Sequence, residues 1–215
     1  MKNIYDKVED SYFTNIRYDI KALVPENKNN KILEIGCGKG YTLLELKESG
    51  KADYIAGVDI VYLDQEILLD KFICCNIEKE VNTLSFCENF FDIIICADVL
   101  EHLIDPWNVL RGLKRYLKPN GLLIASIPNI RELTTMITIF FKGDFRYEDS
   151  GILDRSHLRF FCKKNIVELF ESVGFNIKNI YPNMGAKRRL LNRLSFGLLK
   201  ELLAVQYLIV AQKSL

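Results

Sequence analysis

Residues 31–40 read KILEIGCGKG. A short apolar run ends in an acid, Glu34, and three glycines then alternate at Gly36, Gly38 and Gly40. Glycine after a strand lets the backbone turn sharply and come close to a ligand. What the turn lacks narrows the kind of ligand. A dinucleotide turn carries a third glycine three residues after the second, for close helix–strand packing with pyrophosphate at the helix N-terminus. That position here is Tyr41. The acid at Glu34 repels phosphate and suits a cation.

Outward from this turn, apolar runs alternate with segments of helical period. Strands are expected at 31–35, 54–59, 72–75, 91–97, 121–127, 175–181 and 205–211. Helices are expected at 10–23, 40–49, 105–117, 130–141, 163–173 and 187–203. Strands apolar on both faces and separated by helices indicate an α/β fold with a parallel sheet covered on both sides. Asp105-Pro106 reads as N-cap and first helical residue. Lys118-Pro119-Asn120-Gly121 reads as the turn that ends that helix, and Gly174 as the stop of the helix 163–173. The connection 142–160, KGDFRYEDSGILDRSHLRF, is long, charged and aromatic, as functional loops in compact domains are.

The chain has 215 residues, 49% of them apolar, which suits one domain with a sizeable core. A net charge of +1 gives little footing for nucleic acid. The N-terminus is polar, without the apolar stretch of a secretory signal, and no run approaches the ~20 apolar residues of a membrane span. On these features the protein is expected in the cytoplasm. Six cysteines without a C-x-x-C pair read as reduced thiols. The only two histidines, His102 and His157, have no ligand partner at metal spacing, so no metal is expected.

A cation-bearing ligand without pyrophosphate fits the turn, and S-adenosylmethionine is such a ligand. Asp59 ends the second strand about twenty residues after the glycines, where a carboxylate can accept both ribose hydroxyls. Asn76 and Ile77 follow the third strand, placed to bond the adenine edge and pack on its face. Ala97–Leu103 follows the fourth strand at the C-terminal end of the sheet, where open α/β sheets bind ligands.

Through ILEIGCGKG, GVDI, FDIIICADVLEHLIDPWNVL, RYLKPNGLLIASIPN and GILDRSHLRFF, the chain resembles class I S-adenosylmethionine-dependent methyltransferases. The last two blocks, with YFTNIRYDIKALVP, are similar to a bacterial subgroup associated with surface-polysaccharide and other glycan biosynthesis. The resemblance implies a Rossmann-like seven-stranded sheet of order 3-2-1-4-5-7-6, strand seven antiparallel. It implies one domain over 1–215, with an N-terminal helical cap (1–30), a cofactor-binding half (31–127), a substrate lid (128–162) and the remaining sheet (163–215). It also implies cofactor contacts at Glu34, Gly36, Cys37 and Gly38, at Asp59 and Ile60, at Asn76 and Ile77, and at Asp98 and Val99. Two departures stand out. Only twelve residues separate Asp59 from Phe72, so the second crossover is short, and Asn76 stands where the family commonly has Asp.

Methyl transfer from a sulfonium is an in-line displacement that needs alignment, exclusion of water and, for a hydroxyl acceptor, a base. His157 in the lid is the first candidate base, with Asp154 three residues earlier to orient it; His102 is the alternative. Arg155 and Arg159 suit a phosphate or carboxylate on the acceptor. Tyr12 and Arg17 are expected to close over the methionine end, Arg17 on its carboxylate. The segment 187–200 carries five cations and no acids. It reads as a crossover helix packed on the sheet, with contact to anionic lipid as the second reading. The expected activity is methylation of a small acceptor, first a sugar or sugar-linked hydroxyl. The alternatives are O- or N-methylation of another metabolite, a non-catalytic S-adenosylmethionine-binding protein, and a nicotinamide enzyme, which Tyr41 and Glu34 disfavour.

Overall fold

The computed structural model describes residues 15–62 and 69–214. Seven strands form one sheet: β1 Lys31–Ile35, β2 Tyr54–Asp59, β3 Lys71–Cys74, β4 Phe91–Ala97, β5 Leu117–Pro128, β6 Phe175–Asn183 and β7 Gln206–Lys213. Their spatial order is β3-β2-β1-β4-β5-β7-β6. The first five are parallel to one another, and β7 runs antiparallel to both its neighbours. This is the order that the resemblance implied. Among the described residues the helices are α1 Tyr18–Lys21, α2 Tyr41–Glu48, α3 Ile77–Glu80, α4 Pro106–Tyr116, α5 Leu133–Lys142, α6 Lys163–Ser172, α7 Ala186–Leu194 and α8 Lys200–Leu203.

The central strands read as they fold. β1 and β4 are apolar on both faces because both faces are covered: Ile32, Leu33, Ile94 and Ile95 are fully buried. On one face Val109, Leu110 and Leu113 of α4 pack with Phe170 of α6. On the other, Ile20, Leu43 and Leu46 pack with Ile32 and Ile93. Each such side chain contributes about 1.5–3 kcal/mol by leaving water. The caps also hold. Asp105 accepts a bond from the Asn108 N–H at 2.9 Å, with Pro106 at the first helical position.

Two elements depart from the pattern. Lys118–Gly121 does not separate α4 from β5 but lies within β5. Leu117 already pairs with Phe91, and pairing resumes at Leu122 opposite Ile93, so the turn residues bulge out of the strand. Pro119 offers no N–H and Asn120 takes φ 64°, which a ladder cannot absorb. The helix expected over 187–203 is broken into α7 and α8, since Phe196 and Gly197 sit at φ 52° and 83°. Nor is α7 packed on the sheet, because none of its residues is buried. Of the expected first helix, 10–23, residues 10–14 and Tyr12 with them lie outside the described residues, and the described part is helical only over α1, Tyr18–Lys21. All six cysteines are free: Cys37, Cys75 and Cys96 are buried, Cys74 and Cys87 exposed, and Cys162 half-buried.

Candidate active site

The glycine turn joins β1 to α2 at the C-terminal edge of the sheet. Gly36, Gly38 and Gly40 all have positive φ, 70°, 53° and 85°. At Gly36 a Cβ would also lie 2.7 Å from Cγ2 of Val99, so the post-β4 segment closes directly over the turn. The turn is tied to β2. Gly36 donates to the Val58 carbonyl at 2.8 Å, and Gly38 donates to Oδ2 of Asp59 at 2.8 Å. Val61 donates to Oδ1 of Asp59 at 3.0 Å. Each carboxylate oxygen of Asp59 keeps lone-pair capacity beyond these bonds. Ile60 beside it is 53% exposed, an apolar surface left uncovered at the rim.

Glu34 lies beneath the turn, 3% exposed, and its Oε2 has no partner among the described residues. Burial pushes its carboxyl up to about 8, against the nearby Arg17 charge and with Asp59 adding to the rise. A cationic ligand would relieve that orphaned acid. The glycine cradle, the acid and Asp59 therefore fit S-adenosylmethionine, whose sulfonium and ammonium are cations and whose ribose offers two hydroxyls.

Three expected roles change. Asn76 caps α3, its Oδ1 accepting from the Glu78 N–H at 3.0 Å, so the amide oxygen expected on adenine spends one of its two lone pairs on the helix. Ile77 is buried in the core beside it. Arg17 directs four of its five N–H groups to Asp19, Asp98 and Ser126, which leaves one for a cofactor carboxylate. Burial alone would lower its pKa, but the Asp19 and Asp98 carboxylates outweigh that and raise it. Asp98 is held at φ 53°, bonded to Arg17 and accepting from Ser126 Oγ at 2.8 Å. Such strain persists where surrounding bonds over-determine it, commonly at functional sites.

The third change concerns the lid. Asp154 does not orient His157. Its Oδ1 accepts from the N–H of Ser156 at 2.7 Å and from its hydroxyl, and His157 Nδ1 bonds the Ile152 carbonyl at 3.0 Å. Arg155 pairs with Asp149 at 2.6 Å on the exposed loop. Arg159 bonds the Ile104 carbonyl and lies 5.7 Å from the Trp107 ring centroid. Both guanidiniums that suited an acceptor phosphate thus have other partners.

The two histidines do meet, although 55 positions separate them. Their rings are edge to face with centroids 4.8 Å apart. The N–H groups of Leu158 and Arg159 both donate to the Glu101 carbonyl, at 2.8 and 3.0 Å, and strap the lid to the turn Leu100–His102. Burial, with His157 alongside, holds His102 below the ordinary imidazole value, so it is neutral at neutral pH. Glu101 itself is 1% exposed, and burial and Asp98 push its carboxyl well above the usual range. Glu101, Asp19 and Ser126 were assigned no role from sequence. A glutamate directly beside His102 in the turn after β4 was the available signal.

A Rossmann-like sheet with this acid–glycine turn and a ligand edge defines the class of S-adenosylmethionine-dependent methyltransferases. The chain matches the family model for a methyltransferase domain over residues 11–179 and belongs to that family. The ubiquinone biosynthesis O-methyltransferase of Glaesserella parasuis serovar 5 is 27% identical over 179 residues, 71% of each chain. The tRNA U34 carboxymethyltransferase of Sulfurimonas denitrificans is 29% identical over 122 residues, 54% of this chain and 41% of that one. Among solved structures, a methyltransferase from Archaeoglobus fulgidus shares the fold, with a TM-score of 0.66 at 19% identity over 95% of this chain and 97% of its own.

Proposed function

We propose that this methyltransferase acts on a hydroxyl oxygen of a small acceptor, first a hydroxyl of a sugar or sugar-linked group in surface-glycan synthesis. The observation that carries the reading is the His102–His157 pair with Glu101, held under the lid at the C-terminal end of β4, two residues from the segment that closes on the glycine turn. When bound, S-adenosylmethionine supplies a methyl group already activated on a sulfonium. The chain's own tasks are to hold the cofactor, align the hydroxyl, exclude water and remove the proton. Glu34, Asp59 and the glycine turn hold; the histidine pair, with His157 first, accepts the proton.

A phenolic hydroxyl, as in a quinone precursor, is the second reading. It is favoured by the likeness to a ubiquinone biosynthesis O-methyltransferase over 71% of both chains. The test is methyl transfer from labelled cofactor to sugar-linked lipids, nucleotide sugars and simple phenols. Transfer to a sugar hydroxyl supports the first reading, and transfer to the phenol alone selects the second. Transfer to nitrogen or carbon acceptors only overturns both. In His157→Ala turnover should fall about 10²–10⁴-fold with cofactor binding kept, and full activity in that variant removes His157.

The acceptor's carrier is proposed to be an anionic lipid surface. No helix among the described residues is long and apolar enough to cross a membrane. Yet Leu190, Leu194, Phe196 and Leu198 around α7 are 61–94% exposed, among five cations. Arg188 pairs with Glu132 at 2.5 Å at the start of α5, which exposes Phe140 and Phe141. An apolar surface with basic residues fits anionic headgroups. Co-sedimentation with vesicles containing phosphatidylglycerol, lost in Leu194→Glu and absent with neutral vesicles, is expected. Equal recovery without vesicles rejects the carrier.

A further inference from the structure

The Glu101–His102–His157 cluster is the acceptor end of the proposed site, the reading on which this inference rests, and its imidazoles are more than free bases. Both histidines are fixed by the same device. His102 Nδ1 bonds the Ser156 carbonyl at 3.2 Å, and His157 Nδ1 bonds the Ile152 carbonyl at 3.0 Å. A carbonyl only accepts, so each Nδ1 carries the hydrogen and each Nε2 presents a lone pair. Neither carboxylate oxygen of the buried Glu101 has a partner among the described residues. One ligand atom from each of the three residues lies within 4.8 Å of the other two. Three acceptors therefore share a small, mostly buried space. Such a set is unfavourable unless a cation or a proton joins it.

The pattern is specific. An imidazole whose other nitrogen donates to a main-chain carbonyl is the usual outer shell of a metal-bound histidine, since it fixes the tautomer and aims the ring. We infer that Glu101, His102 and His157 form a binding site for one divalent first-row transition ion, of the kind of Zn²⁺, Mn²⁺ or Co²⁺. Two imidazoles and one carboxylate select these ions over Ca²⁺ and Mg²⁺, which take oxygen shells. Bonds of about 2.0–2.2 Å to each ligand require the three side chains to draw in slightly. Three protein ligands leave a position open, the pattern of catalytic rather than structural sites. With both Nε2 lone pairs on an ion the imidazoles would no longer serve as the base: an acceptor hydroxyl entering the open position would form an oxygen–metal bond, and its O–H bond would break with the proton passing to water. The sequence offered no such spacing, because the ligands come from a turn after β4 and from the lid. The strap from Leu158 and Arg159 to the Glu101 carbonyl brings them together.

The experiment uses the full chain without a tag, stripped with chelator. Titration with Co²⁺ should give visible d–d bands that saturate at about one ion per chain, and dialysis against Zn²⁺ should leave about one Zn²⁺. Glu101→Gln and His157→Gln should each weaken Co²⁺ binding by at least about tenfold. Calorimetry should show both variants, and the stripped wild type, still binding S-adenosylmethionine. An absent or unsaturable Co²⁺ signal in the wild type overturns the inference. So does an unchanged signal in Glu101→Gln, and the cluster then holds a shared proton instead. Cofactor binding without ion binding rejects the ion and leaves the methyltransferase reading standing; ion binding without cofactor binding does the reverse.

Discussion

Asp59, the last residue of β2, and Glu101, just beyond the C-terminal end of β4, are carboxylates at the ends of the two strands that flank β1, and the fold treats them oppositely. Asp59 accepts two main-chain N–H groups and locks the glycine turn. Glu101 is more deeply buried, and its side chain accepts no bond from the described residues. One region is satisfied by its own backbone before any ligand arrives. The other commits its backbone to the lid and leaves its side chains in need of a partner. The proposed cofactor end is thus preorganised, and the proposed acceptor end is finished only by what binds there.

The most disruptive way to break this contrast is at the turn. Gly36→Ala places a Cβ against Val99 and puts a non-glycine residue at φ 70°. It should cost about 1–3 kcal/mol of stability and weaken S-adenosylmethionine at least tenfold, read by thermal unfolding and calorimetry. Unchanged affinity would mean that the turn does not face the cofactor.

A smaller effect sharpens the electrostatics beneath the turn. The folded protein keeps the Glu34 proton up to about pH 8, whereas the unfolded chain releases it near 4.5. Stability from this group is therefore complete below the unfolded value and is lost as the pH rises toward 8. A cationic cofactor favours the ionised acid, so binding below pH 8 expels a proton. Affinity should tighten as pH rises from 6.5 to 8, by up to about tenfold per unit, and then level off. Glu34→Gln should flatten that slope, and a slope that persists in it would assign the proton elsewhere.

The smallest effect is expected in the lid. Arg155 and Asp149 are 60% and 90% exposed, so Arg155→Ala should shift stability by less than about 0.5 kcal/mol. It should also leave KM for the acceptor within about twofold, by steady-state kinetics, because the guanidinium faces Asp149. A tenfold rise in KM would restore Arg155 to the acceptor.

Legibility in the sequence followed the range of the forces involved. The strands, the glycine turn and the Asp105 cap depend on neighbours a few residues away, so KILEIGCGKG and IDPW announced them. KPNG was misread because a turn and a bulge use the same residues, and only pairing with β4 tells them apart. α7 carries the period of a packed helix, yet Phe196 and Gly197 break the segment and its apolar side stays exposed. Asp154 lies three residues before His157, but Ser156, closer still, takes its carboxylate. Both histidines were expected at the site, but their direct contact was not legible, because it joins segments 55 positions apart and is closed by backbone bonds, which leave no mark on side-chain identity.

The strap between lid and turn also makes the enzyme self-reporting. Arg159, whose N–H grips the Glu101 carbonyl, lies over Trp107, the only tryptophan in the chain. Lifting the lid takes the guanidinium off the indole. Opening and closing of the proposed acceptor site should therefore be readable in the native fluorescence of one ring, without a label.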